Sequence, residues 1–359
     1  KDAIDGATTN DGATKAGQDG KTAIEAVTVP ADSDVKKNAK DAIDKAAKTK
    51  DNAIDASNLT AEEKDALKKK VADEVKTAKD NIDAATKDTD VTTAQTNGEK
   101  AINAVEIPTA SKTKNDANSD LDTAADAVKK AIDKTSGLTD DQKQTAKGQI
   151  DQAVADAKEN IKKASDDTGV AAATDAGKLA IDKVSANAAI DGALAEKNKS
   201  IDDAPNLTTE EKQAVKGQAK TAADSAKTAI SNAKTVGDVT TAKKTGVDNI
   251  NNGNVPTTSA TKSAAKDAID QAAKTKDDAI DASNLTAEEK DALKKTVAGE
   301  VNKAKAAIDA ATKDADVTTA KNTGVEKINN INVSTTSATK SAAKDAIDQA
   351  AKTKDDAID

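Results

Sequence analysis

Carboxylates are the side chains here that could run acid–base or metal chemistry. Asp88-x-Asp90 and Asp314-x-Asp316 place two acids one residue apart, and Ile-Asp dipeptides recur throughout the chain. Two carboxylates in a cleft can divide acid and base roles when their surroundings separate their pKa values. A calcium loop needs about six or more oxygens in a fixed order around a sharp glycine turn. The positions matching the Asp pairs elsewhere in the chain are Asp167 and Gly169, then Val236 and Asp238, which do not keep such an order. These acids are read as helix starts. The Ile-Asp pairs lie beside core residues along a regular solvated edge and are read as surface charge, not as a catalytic cleft.

Most other chemistry is excluded by composition. The chain has no Cys, His, Met, Phe, Tyr or Trp, and all 54 of its basic residues are Lys. That removes the usual zinc ligands, the thiol nucleophile and the histidine base. Without aromatic rings there is nothing to stack on bases, and a net charge of −9 without Arg argues against nucleic acid. Asn58-Leu59-Thr60, Asn206-Leu207-Thr208 and Asn284-Leu285-Thr286 are formal glycosylation sequons, read instead as helix N-caps with a buried Leu beside them. No residue is assigned a catalytic, cofactor-binding or metal-binding role, and the chain is not read as an enzyme. No apolar run approaches the roughly 20 residues of a membrane span, and the polar stretch from Lys1 to Asn10 is not a signal peptide.

The elements that carry these residues repeat. The segment at 53–69 recurs without change at 279–295, and that at 257–281 recurs at 335–359. Leu59, Leu138, Leu207 and Leu285 mark one register, and Gly20, Gly98, Gly177, Gly246 and Gly324 another, giving a period near 78 residues. Each repeat reads as three helices. The second opens on a capping box, Thr60 with Glu63, then Thr139 with Gln142, Thr208 with Glu211, and Thr286 with Glu289. Its stripe runs Leu67, Val71, Val75, Ala78, Ile82, Ala85, with steps that keep one helical face. The first helix carries Ala39, Ile43, Ala47 and Ile54, and the third Val91, Ala94, Gly98, Ile102 and Val105, started by Asp88 or Asp90. Large aliphatics number only 52 of 359 residues against 77 Ala, so the helices should be thin and closely packed. The recurring Gly falls on the third stripe and predicts close backbone approach.

The fold class expected is all-α, a linear array of three-helix bundles. The domains are placed at 1–29 (partial), 30–106, 107–184, 185–254 (shorter), 255–332 and 333–359 (partial), as in a stretch excised from a longer array. Linkers hold Pro30, Pro108 and Pro256, and Pro205 precedes a second-helix cap. One junction differs: Ile181 and Ile190 are 9 residues apart where Ile102 and Leu121 are 19 apart. Either a tight turn or a helix running through would fit there.

The A-x-x-x-I-D-x-A first helix (Ala39 to Ala46), the NLTAEEK turn (Asn58 to Lys64), the A-K-x-x-I-D-x-A run (Ala78 to Ala85) and the D-V-x-x-A-x-x-x-G third helix (Asp90 to Gly98) carry a resemblance. The chain resembles the tandem helical repeats, labelled a domain of unknown function, of large cell-wall-anchored proteins of Gram-positive bacteria. The resemblance implies a stalk on the outside of the cell, in proteins tied to adhesion or biofilm accumulation. It brings no catalytic residues and no cofactor.

The leading functional expectation is a structural spacer holding a distal adhesive region away from the wall. Four bundles of roughly 35–40 Å each, stacked end to end, would span roughly 150 Å. The alternative is an adhesin module that binds a host serum or matrix protein through a helix face, although the aromatic or Arg anchors usual at such faces are missing. A third reading, a disordered desiccation-type protein, is disfavoured by capping boxes at a fixed period. The partners expected are a host extracellular protein or like repeats on neighbouring cells, with no nucleic acid, no membrane insertion and an elongated monomer as the state.

Overall fold

A computed structural model describes residues 1–27 and 33–358. Pro30 and the boundary placed at residues 29 and 30 lie outside the described residues, as does Asp359. Among the described residues there are fourteen α-helices and no strand. They are α1 (Asp2–Asp5), α2 (Asn10–Glu25), α3 (Asp34–Asp55), α4 (Ala61–Ala84), α5 (Asp88–Ala104), α6 (Lys112–Asp133) and α7 (Asp140–Lys163). There follow α8 (Asp167–Asp202), α9 (Thr209–Asn232), α10 (Val236–Asn252), α11 (Ala260–Asp281), α12 (Ala287–Ala310), α13 (Asp314–Asn329) and α14 (Ala338–Asp355). The chain divides into two compact units, residues Lys1–Leu121 with Asp156–Asp175, and Asp122–Ala155 with Ala176–Asp359.

In the first unit α3, α4 and α5 close on one core. Ile43 and Ile54 meet Leu67, Val71 and Ile82 of the second helix and Val91 and Ile102 of the third. These are the residues the 3.6-residue period selects, and their burial supplies the driving force that Lys- and Asp-rich helices lack alone. Gly98 sits where expected: a Cβ there would lie 2.4 Å from Ala78 Cβ and 2.8 Å from Ile43 Cδ1. Only a residue without a Cβ lets α5 approach that closely.

The second unit contains two full bundles of the same design. One joins the C-terminal part of α8 to α9 and α10 around Ile190, Ile230, Val239 and Ile250. The other joins α11, α12 and α13 around Ile269, Ile280, Val297, Ile308, Val317 and Ile328. Gly246 and Gly324 repeat the seam, with an added Cβ at 2.3 Å from Ala226 Cβ and 2.5 Å from Ala304 Cβ. In the remaining repeat, on α6, α7 and the start of α8, Leu121, Ile132, Ile150, Ile161 and Ile181 are buried.

At the short junction the helix runs through. α8 is one helix of 36 residues from Asp167 to Asp202. With no Pro or Gly between Ile181 and Ile190, nothing stops it. Pro108 and Pro256 lie between helices, and Ser111 and Ser259 then start α6 and α11 by accepting from the N–H of Lys114 and Lys262.

Candidate functional site

The acids of the Ile-Asp dipeptides meet lysines. Each Ile-Asp dipeptide in the bundle of α3, α4 and α5 buries its Ile and sends its Asp to a Lys on the neighbouring helix. Asp44 meets Lys79 at 2.6 Å, Asp55 meets Lys68 at 2.7 Å, and Asp83 meets Lys40. In the last full bundle the pairs are Asp270 with Lys305, Asp281 with Lys294 and Asp309 with Lys266. An acid–base pair of carboxylates needs two acids facing one cleft, and here each faces an ammonium. Among the described residues no three acidic side chains converge as a metal site would require.

Asp88 and Asp314 do not cap their helices through side chains. The N-caps of α5 and α13 are Lys87 and Lys313, which make no side-chain cap bond, and the acids at 88, 90, 314 and 316 lie in the first turn. There their charge meets the positive end of the helix dipole. In the other repeats the cap is made by Asp166, which accepts from Gly169 N–H at 2.7 Å, and by Thr235 with Asp238. The sequons are N-caps as read. Thr60 and Thr208 are fully buried in their capping boxes, and Leu59, Leu207 and Leu285 are buried beside them.

A set of lysines escaped the sequence reading. Lys64, Lys36 and Lys50 donate to the C-terminal carbonyls of α3, α4 and α5, at Asp55, Asp83 and both Asn103 and Val105. Lys290, Lys262 and Lys276 do the same for α11, α12 and α13. Lys212, Lys183 and Lys197 do so for α8, α9 and α10. These three bundles thus close all three helix C-termini with ammonium groups, which satisfy unpaired carbonyls and complement the dipole. The signal was available in the sequence only as Lys at matching positions of different repeats.

The ends of the bundles bear the remaining polar geometry. Glu63 uses Oε2 to accept from Thr60 N–H at 3.0 Å, completing its own cap, and Oε1 to accept from Thr113 N–H at 3.1 Å. Thr113 belongs to the first helix of the next repeat. Burial alone would raise this carboxyl's pKa, but the bonds from Thr60, Ser111 and Thr113 outweigh it and hold it below the ordinary value. Glu211 is held down in the same way against burial, by Thr208, Thr261 and Ser259. Glu289, bonded by Thr286 and Thr339, is lowered to about 2.

Open grooves also mark the surface. One of about 920 Å³ runs between α9 and α10, lined by Thr221, Ser225, Thr241 and Thr245 among others. One of about 810 Å³ lies between α11 and α13, beside Gln271, Lys321 and Asn329. Neither gathers charged groups of one kind, nor an apolar pocket.

Repeats of this size, each a three-helix unit, match one family four times. The family described as Domain of Unknown Function (DUF1542) covers residues 35–110, 113–187, 182–258 and 261–336. The chain belongs to this family. It is similar to the extracellular matrix-binding protein ebh of Staphylococcus aureus strain MRSA252, with 34% identity over 219 residues, which is 58% of this chain and 2% of that protein. The same protein of strain MW2 is 32% identical over 219 residues, 58% of this chain and 2% of its own length. EbhA of strain Newman is 32% identical over 220 residues, 59% of this chain and 6% of its length. The chain therefore spans a small fraction of the relatives it matches. They are named as extracellular matrix-binding proteins. No solved structure matches the chain. Among the described residues no helix is long and apolar enough to cross a membrane.

Proposed function

We propose that this chain is a non-catalytic spacer, a stalk segment of a cell-wall-anchored bacterial surface protein that holds an adhesive region away from the wall. The observation that carries this reading is the recurrence of one repeat-to-repeat contact. Glu63 with Thr113, Glu211 with Thr261 and Glu289 with Thr339 are the same bond at the same place in three of the four repeats. A part with a recurring way of joining its copies can be lengthened by adding copies. The repeat boundaries proposed with it are 30–106, 107–184, 185–254 and 255–332. Small-angle scattering on the chain, and on versions with one repeat added or removed, tests the reading. The longest dimension should grow by a constant step per repeat, and a compact particle of unchanged length would contradict it.

The second reading, adhesion to a host matrix or serum protein, is favoured by the name of the relatives, extracellular matrix-binding proteins. Binding of a matrix protein to this chain at sub-micromolar concentration would favour it over the spacer. A role in biofilm accumulation through contact with like repeats on other cells would show as self-association in sedimentation.

A further inference from the structure

We propose that a glutamate in the third position of a second helix is the coupling residue between its repeat and the next, and that a glutamine in that position leaves the junction without this link. A carboxylate has two acceptor oxygens. At Glu211, Oε2 accepts from Thr208 N–H at 3.0 Å, which is the bond of the helix's own cap. Oε1 accepts from Thr261 N–H at 3.1 Å and from Ser259 Oγ at 3.0 Å, both at the start of α11 in the next repeat. At Glu289 the same two oxygens serve Thr286 N–H at 2.9 Å and Thr339 N–H at 3.2 Å, with Thr339 Oγ1 donating at 3.1 Å. The receiving end is a Ser-x-Thr at each of these starts: Ser111 to Thr113, Ser259 to Thr261, Ser337 to Thr339. A neighbouring acid reinforces the link, as Asp314 N–H donates to Glu210 Oε2 at 3.0 Å and Asp167 N–H to Glu62 Oε2 at 2.9 Å.

The exception follows the same chemistry. At the fourth second-helix start the residue is Gln142, whose single Oε1 accepts from Thr139 N–H at 2.9 Å. An amide's other terminal atom is a donor, so Gln142 can serve its own cap, but the atom in the place of the second carboxylate oxygen cannot accept an N–H. Here α8 runs through instead, and the Ser-x-Thr is replaced by Ala180-Ile181-Asp182 within that helix. Contact at this place is made by glycine: a Cβ on Gly192 of α8 would lie 2.5 Å from Ser136 O. Gly137, at φ +78°, forms the facing turn, where a Cβ would lie 2.4 Å from Gly192 O. Glutamate thus accompanies a bonded junction and glutamine a continuous helix. The inference holds whether the array spaces or binds, because it concerns how one repeat holds the next.

Hydrogen exchange measured by mass spectrometry on the full chain tests it. Glu211→Gln keeps the acceptor for Thr208 and removes the one for Thr261. Peptides covering the start of α11 should exchange about tenfold faster or more, as expected for loss of one charge-assisted bond, while those at the start of α9 keep their protection. Glu289→Gln should act alike on the start of α14. Glu211→Ala should release both ends, and Gln142→Glu should leave exchange along α8 unchanged. Unchanged exchange at the start of α11 in Glu211→Gln would overturn the proposal. Equal loss at α9 and α11 in that variant would also overturn it, because the residue would then be a cap and nothing more.

Discussion

The two full bundles of the second unit use the same plan with different volumes. In the bundle of α11, α12 and α13 the second helix places Leu293, Val297 and Val301 along its stripe. In that of α8, α9 and α10 the matching residues are Val215, Ala219 and Ala223. Several methylene groups are missing from α9, yet Ile190, Ile230 and Ile250 are as fully buried as their counterparts. The volume is returned from the first helix. Leu194 stands where the other bundle has Ala273, and Leu179, upstream in the continuous α8, packs on the same core. A core keeps its density by exchanging large and small residues between facing helices. The outer groove shows what is not compensated. Between α12 and α13 it is about 160 Å³, lined by Glu300, Lys303 and Lys327. Ala222, Ser225 and Asn249 hold those places in the other bundle, and the groove between α9 and α10 opens to about 920 Å³.

If the glycine seam is common to both bundles, Gly246→Val and Gly324→Val should destabilise them alike. Each forces a side chain into Ala226 or Ala304, and overpacking of this kind costs about 1–3 kcal/mol or more. Local unfolding read by hydrogen exchange in each bundle checks this, and tolerance in one bundle only would break the comparison.

Leu194→Ala should cost about 1–2 kcal/mol, since the side chain is half-buried, and only in the bundle with the alanine-rich second helix. Ala273→Leu should destabilise the other bundle, where no volume is missing. A stabilising Ala273→Leu would show that the two bundles do not exchange volume between their helices in this way.

The capping boxes should behave as equals. Thr208→Ala and Thr286→Ala should each cost about 0.5–2 kcal/mol, seen as a lower melting temperature of the affected bundle. Acid should single out the glutamate. The Glu289 carboxyl titrates at about 2 in the folded chain against an ordinary 4.5. Its contribution is therefore complete above pH 4.5 and is lost as pH falls through about 2. Helicity at the start of α14 followed from pH 6 to pH 2 should fall in that window, and Glu289→Gln should flatten the dependence.

The smallest effects concern outer faces. Gly217→Ala and Gly299→Ala, where an added Cβ meets nothing within 4 Å, should raise stability by about 0.4–1 kcal/mol in the two bundles equally. Thr318→Ala, exposed on α13, should change the melting temperature least of all.

How much was legible depends on the range of the interaction. The helices, their stripes, the boxes at Thr60, Thr208 and Thr286 and the packing role of Gly98, Gly246 and Gly324 follow from residues three or four apart, so spacing along the chain contains them. The lysine at 50 that closes the end of α5, the pairing of Asp44 with Lys79 and the second bond of Glu63 join residues 53, 35 and 50 positions apart. In a chain with 54 lysines and 63 acids nothing in local spacing singles those partners out. The break in pattern between Ile181 and Ile190 was visible, but a tight turn and a continuous helix were equally compatible with it. Local spacing carries the repeat, the helix ends and the faces turned inward, because backbone hydrogen bonding and apolar period are local. Tertiary structure alone decided which charge meets which, where volume lost from one helix is returned by another, and how one repeat holds the next, because those depend on distances set only once the bundles have closed.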